Sequence, residues 1–260
     1  MLLTFSIFLL LLAIWIQIAT NFFTPFQKGL RVLMYHKLDA SKADFLTVTI
    51  AEFEKHIDYL VDQNYHFISL SEFLELLNSK QKLPDRSVML TFDDGYQSNF
   101  EYLLPVLKKH NLKAAVFLPV LFIGKTNTWD NESDPIMSYE TLKLAQPYFE
   151  YGLHSYAHHN MAEMTKEELE SDIKNCLSEL KANQLQVLPV IAYPYGSYLK
   201  QDFAFEIVTK LGIRAAFRIG NKVNVFPVSN KFLLKRIDMR GTDTFGDFKT
   251  KVMKGRVKMF

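Results

Sequence analysis

The chain of 260 residues holds a single cysteine, Cys176, so no intramolecular disulfide is available to it. That composition suits either side of a membrane. Charge of one sign is also lacking: 30 Lys and Arg stand against 28 Asp and Glu, a formal net charge of +2. An electrostatic footprint for nucleic acid is therefore excluded as an expectation. No internal repeat and no low-complexity tract occurs, and no histidine follows His159.

Residues 2–19, LLTFSIFLLLLAIWIQIA, lack charge altogether, and the first charged side chain is Lys28. An uncharged apolar run of this length is enough to cross a bilayer as a helix. A cleaved signal would want a basic start and a small-x-small site. Neither is present, because no Lys or Arg precedes the run and Gln17-Ile18-Ala19 is a poor match. Residues 1–24 are accordingly expected to be a transmembrane anchor or, second, a signal, and residues 25–260 one domain. Lys28, Arg31, Lys37 and Lys42 all follow the run, and the positive-inside bias alone would keep that domain in the cytoplasm.

What the rest contains is an alternation of short apolar runs with longer amphipathic ones, the pattern of βα units and a parallel sheet. Strands are expected at 31–36, 66–69, 87–92, 113–119, 150–154, 189–193, 213–218 and 232–237. A helix over 50–63 would bury Phe53, Ile57, Leu60 and Val61. Ser69 with Glu72, and Thr165 with Glu168, read as capping boxes, and Gly212 as a helix stop. The fold class is α/β, a distorted (β/α) barrel of about seven strands, preceded by the N-terminal transmembrane helix.

Reactive groups of such barrels gather where strands end. One strand here runs into Asp93-Asp94-Gly95 and another into His154-Ser155-Tyr156-Ala157-His158. A third runs into Tyr193-Pro194-Tyr195-Gly196, and the first into His36. Singly these are turns, a histidine pair and a buried histidine; together, at four strand ends, they suit chemistry. One carboxylate and two neutral imidazoles leave positions open on Zn²⁺ or a related divalent ion, and Asp94, His154 and His158 supply such a set. Asp93 is placed to take a proton from metal-bound water, and His36 to protonate a departing amine.

LTFDDGY, LHSYAHHNM and AYPYG resemble the ordered motifs of the NodB-homology polysaccharide deacetylases, carbohydrate esterase family 4, over roughly residues 30 to 240. The resemblance implies metal-dependent hydrolysis of N-acetyl groups on an amino-sugar polysaccharide. Asp93 is then the base, Asp94, His154 and His158 the ligands, and the Tyr195 turn an oxyanion donor. The late Leu-x-His motif of many members is missing. VLMYHKL instead matches a subgroup acting on poly-N-acetylglucosamine, whose motifs are circularly shifted, so His36 inherits the acid role. Ala192 stands where an arginine commonly orients the base, and Arg236 is the candidate replacement. His158 is preferred to His159 as the match to His-Ser-x-x-His. Tyr193, Pro194, Tyr195, Tyr198 and Trp129 are candidates for substrate contact. Another acetylated target, peptidoglycan or a lipid-linked sugar, and an inactive carbohydrate-binding relative are the rival readings. A substrate of this type places the domain outside the cytoplasm, against the positive-inside count. The basic C-terminal stretch from Lys249 to Phe260 reads as a solvated helix face.

Overall fold

A computed structural model describes Ser6 and residues 26–79, 83–130, 132–198, 200 and 202–255. The expected membrane anchor at 1–24 therefore lies outside the described residues, Ser6 excepted. No described helix is long and apolar enough to cross a membrane.

In chain order the strands and α-helices are β1 (Arg31–Tyr35), β2 (Lys37–Asp39), β3 (Thr47–Thr49), α1 (Ile50–Asp62), β4 (His66–Phe67), α2 (Leu70–Asn78), β5 (Ser87–Phe92), α3 (Leu104–His110), β6 (Ala114–Leu118), α4 (Tyr139–Ala145), β7 (Phe149–Leu153), α5 (Lys166–Ala182), β8 (Val190–Ala192), α6 (Asp202–Lys210), β9 (Ala215–Ile219), β10 (Leu234–Asp238) and α7 (Phe245–Lys254). β1 pairs in parallel with both β10 and β5, closing a ring of seven strands in the order β1, β5, β6, β7, β8, β9, β10. The expected strand at 66–69 shrinks to the two residues of β4, which lie against the start of β5 outside that ring. β2 and β3 form a separate two-stranded parallel sheet that periodicity could not signal, each being three residues long.

Strands buried on both faces need apolar side chains at successive positions, and β1, β5, β6 and β8 are buried throughout. One set fills the barrel: Val32, Met89, Ala115, Phe117, Ala192 and Phe217. The alternate set, including Leu33, Leu90, Val116, Leu118 and Ile191, packs against the helices. From α2, Phe73 meets Phe217 at 5.4 Å and closes the amino-terminal mouth. Gly152 is small because a Cβ there would lie 2.6 Å from the Phe117 ring and 2.9 Å from the Val190 carbonyl.

The expected helix signals are present, with corrections. Thr165 and Glu168 form a reciprocal capping box, and Gly212 takes φ +84° beyond α6. Ser69 accepts from the Glu72 N–H, but the Glu72 carboxylate turns toward His66 Nε2 at 3.4 Å. Val61, expected on the buried face of α1, is 44% exposed, because it sits about 80° around the helix from Phe53. Lys251 is not on a solvated face: it is buried, and its ammonium donates to the Asp238 carbonyl at 2.6 Å and to the Asp243 carboxylate.

His56 of α1 lies in the core, its ring stacked on Phe248 at 3.7 Å, with its Nδ1 facing the Tyr35 hydroxyl at 3.1 Å. Burial first, then the charges of Lys251 and Lys55, push its pKa down to about 3. The unfolded chain takes up this proton near its ordinary value of about 6.5 and the folded one does not, so stability is present above that value and falls with acid. Between pH 7 and pH 5 the group is expected to cost the fold about 2 kcal/mol at 1.36 kcal/mol per pKa unit. Chemical denaturation of wild type and His56→Gln at the two values checks this; equal slopes against pH would refute it.

Candidate active site

The inward rows of the barrel continue past the strand ends and change there from apolar to ionisable. In β5, Met89 and Thr91 precede Asp93; in β7, Gly152 precedes His154; in β1, Val32 and Met34 precede His36. The ladder holds these first residues in register: Asp93 N–H donates to the Tyr35 carbonyl and His154 N–H to that of Leu118, each at 3.0 Å. Neighbouring residues of an extended strand point to opposite faces. Asp94 escapes this by adopting φ +70°, so that two successive carboxylates both face the mouth. Ser155 (φ +64°) and His158 (φ +56°) turn the loop after β7 in the same way.

Asp94, His154 and His158, all buried, offer ligand atoms within 4.8 Å of one another. Asp94 Oδ1 lies 3.4 Å from His154 Nε2 and 3.2 Å from His158 Nε2, and it has no hydrogen-bond partner of its own. Tetrahedral ligands at about 2.0–2.1 Å from an ion stand about 3.3 Å apart, so the donor set fits a divalent metal. His154 Nδ1 faces the Ala192 carbonyl at 2.8 Å, which places the proton on that nitrogen and the lone pair on Nε2. Burial is the first of the influences that push His154 down to about pKa 4, leaving a neutral imidazole at neutral pH. Burial also opposes the charge of Asp94, but His158 at 3.2 Å and then the His154 and His36 imidazoles outweigh it and hold the carboxyl below its usual range.

Asp93 is gripped by Arg236, whose Nη1 and Nη2 donate to Oδ1 and Oδ2 at 2.5 and 2.6 Å. The guanidinium lies fully buried, 5.5 Å above the Phe117 ring that plugs the barrel beneath it. It counters the desolvation of Asp93 and keeps that carboxyl below its ordinary range. Asp93 Oδ2 also faces His154 Nε2 at 3.8 Å and His36 Nε2 at 4.0 Å. The structure thus gathers Asp93, Asp94, His36, His154, His158 and Arg236 around one cleft of about 400 Å³.

Over residues 80–216 the sequence matches the polysaccharide deacetylase family. The chain belongs to that family. It is 29% identical over 169 residues to YxkH of Bacillus subtilis, covering 65% of this chain and 57% of that protein. A poly-β-1,6-N-acetyl-D-glucosamine N-deacetylase of Staphylococcus aureus is 29% identical over 200 residues, 74% of this chain and 67% of the relative. The chain thus spans a little over half of the first and two thirds of the second. The deacetylase PplD of Streptococcus pyogenes shares the fold, with a TM-score of 0.73 at 18% identity over 88% of this chain and 99% of that one.

Other residues of this family member fall differently from expectation. Tyr193 is no sugar platform: it is fully buried and its hydroxyl donates to the Phe232 carbonyl at 3.1 Å. Pro194 is buried as well, and supports the turn that sets Tyr195 at φ +58°. Tyr195 is 58% exposed on the cleft and its hydroxyl lies 3.2 Å from His158 Nδ1. Trp129 stacks on the His158 ring at 4.2 Å. Tyr198 turns aside to meet the Arg218 guanidinium at 4.5 Å. His159 is exposed and stands outside the ligand set.

Asp172, on α5, carries no sequence signal beyond an acidic residue on a helix, yet it holds the ligand loop. Its Oδ2 accepts from Ser155 Oγ at 2.8 Å and Tyr156 N–H at 2.9 Å, and Ser155 Oγ accepts from His159 N–H. Removing a support of this kind typically weakens metal binding about 10–100-fold. Asp172→Ala is expected to lose Zn²⁺ affinity within that range in competition with a chromophoric chelator; wild-type affinity would mean that the loop supports itself.

Proposed function

We propose that this protein hydrolyses the N-acetyl group of N-acetylglucosamine units in a polysaccharide, releasing acetate and leaving a free amine. The observation that carries the reading is the convergence on one cleft of the Asp94, His154 and His158 donors with an Arg236-held Asp93 and His36. The family membership and the named activity of the Staphylococcus aureus relative support the choice of substrate. A binding module without catalysis has no use for a second buried carboxylate beside a ligand set, kept ionised by a dedicated guanidinium.

Asp94, His154 and His158 would hold the metal, with Zn²⁺ suiting two imidazoles and a carboxylate. Bound there, a divalent ion supplies Lewis acidity toward the acetyl carbonyl and lowers the pKa of water to about 7. Asp93 acts as the general base. Both its oxygens are fixed by Arg236, and Oδ2, the one turned to His154 and His36, keeps a lone pair for the incoming proton. His36 stands on the other side of that oxygen and delivers a proton to the amide nitrogen, which leaves poorly as an anion. The Tyr195 turn offers its backbone N–H to the developing oxyanion, and Trp129 and Tyr195 wall the sugar.

Acetate release from an N-acetylglucosamine oligomer is expected from the wild type and is expected to vanish with a strong chelator or with Asp93→Asn. Arg236→Ala is expected to lower kcat and to move the acidic limb of the pH profile upward by roughly 1–3 units, since the lost guanidinium no longer favours the carboxylate. No release from any acetylated glycan in a panel would overturn the assignment.

We further propose that residues 1–24 anchor the protein in a membrane and that the domain from residue 25 stands on the extracytoplasmic side, where such a polymer would be met. Alkaline phosphatase fused to the C-terminus is expected to be active; an inactive fusion beside an active cytoplasmic reporter would reverse the orientation.

A further inference from the structure

His36 and Lys37 are neighbours in sequence that face opposite ways, one into the cleft and one into the hairpin-like arm formed by residues 123–136. The arm closes on itself through the Thr126–Pro135 bridge and through Asn127 N–H to the Asp134 carbonyl at 3.0 Å. Asp130 organises its tip, accepting from Asn127 Nδ2 at 2.7 Å and Glu132 N–H at 3.0 Å. Trp129, beside Asp130, lies edge-on to Phe122 at 4.9 Å and flat on the His158 ring at 4.2 Å. A cleft wall is thereby carried by an arm with few apolar anchors, and beyond the long contact from the Tyr96 hydroxyl to Asp130 Oδ2 at 3.5 Å something has to fix where its tip lies.

The Lys37 ammonium meets that need. It donates to Glu132 Oε2 at 2.9 Å and Asp134 Oδ2 at 2.8 Å, and stands 5.4 Å over the Tyr96 ring. The Lys37 side chain is only 9% exposed, while Glu132 and Asp134 are 46% and 34% exposed, so the cation is held out of water at the foot of a contact whose acidic side faces solvent. Lys37 starts β2, its N–H bonded to the Leu46 carbonyl, and the same short segment carries His36 into the cleft. Lys42 adds a second, half-exposed contact to Glu132. A chain of direct contacts runs from the backbone of His36 through Lys37 and the acidic side of the arm to Trp129 and the His158 ring.

We propose that Lys37 is a positioning residue for substrate binding: it ties the 123–136 arm to the segment that bears His36, and so sets the Trp129 wall at the proper distance from the reacting groups. The kinetic part of this inference rests on the deacetylase reading; the position of Trp129 does not. A misplaced wall weakens the hold on the sugar while leaving Asp93, His36 and the ligands where they are.

The test uses the full chain with Trp15→Phe, which leaves Trp129 as the sole tryptophan, the chain having two. Lys37→Met in this background is expected to raise the acrylamide quenching of Trp129 and shift its emission to the red, and Lys37→Arg to restore both. On an N-acetylglucosamine oligomer, Lys37→Met is expected to raise KM roughly tenfold with kcat within about twofold, the signature of lost binding and not of lost chemistry. Should Lys37→Met fail to fold, Glu132→Gln with Asp134→Asn gives the same readings from the other side of the contact. Unchanged quenching in Lys37→Met, or a fall in kcat with KM unmoved, overturns the proposal. If the wild type releases no acetate, the deacetylase reading fails, and the quenching series still decides whether Lys37 places Trp129.

Discussion

The pair between Arg236 and Asp93 is the constraint around which the mouth of this barrel is built. Two ions of opposite sign lie almost wholly out of water, a cost that only close geometry and full hydrogen bonding offset. The bidentate contact meets that condition for the carboxylate, and Phe117 offers the guanidinium a ring face from below. Either charge alone would be unsupportable in this place. The partnership also fixes relative position, because Arg236 comes from β10 and Asp93 from β5, with β1 between them. A carboxylate held across an intervening strand cannot swing with a loop.

Around that pair the remaining groups are ordered by a simple rule of strands. Rows that point inward are mostly apolar within the barrel, with Thr91 and Arg236 as buried polar members, and the ionisable side chains Asp93, His154 and His36 stand where rows reach its rim. The left-handed Asp94 then breaks the two-residue alternation where the site needs a side chain that a strand would send outward, and the left-handed Ser155 and His158 turn the loop that returns His158 to the cleft. Their backbone strain is held by specific partners, of which the Asp172 carboxylate is the clearest.

Much of this was legible in the residues. The strand runs were visible because parallel strands are apolar on both faces, and the chemistry was visible because Asp-Asp, His-x-x-x-His and His36 each followed such a run. The juxtaposition of Arg236 with Asp93 was reachable by noticing a gap at Ala192 and asking which cation could fill it. Tyr193 was misread, since an aromatic beside a turn gives no sign of which way it faces; the inward row of β8 takes Ala192 and leaves Tyr193 to the helix layer. Asp172 and Lys37 were invisible for another reason. Each acts through a contact with a loop remote in the chain, by 17 residues in one case and 95 in the other, and no local pattern encodes such a partner.

The closed ring has a consequence for how the site comes into being. His36 leaves the first strand of the ring and Arg236 sits on the last, and these two strands are neighbours. In a ring, a residue carried on the opening strand occupies the place it would have if that strand came at the end, which reconciles the shifted order of motifs with an unshifted constellation. It also means that a ribosome-bound chain lacking β10 has the ligands but neither the grip on Asp93 nor the neighbour that seats β1. The Asp93 carboxylate therefore gains its guanidinium partner only once β10 has been made.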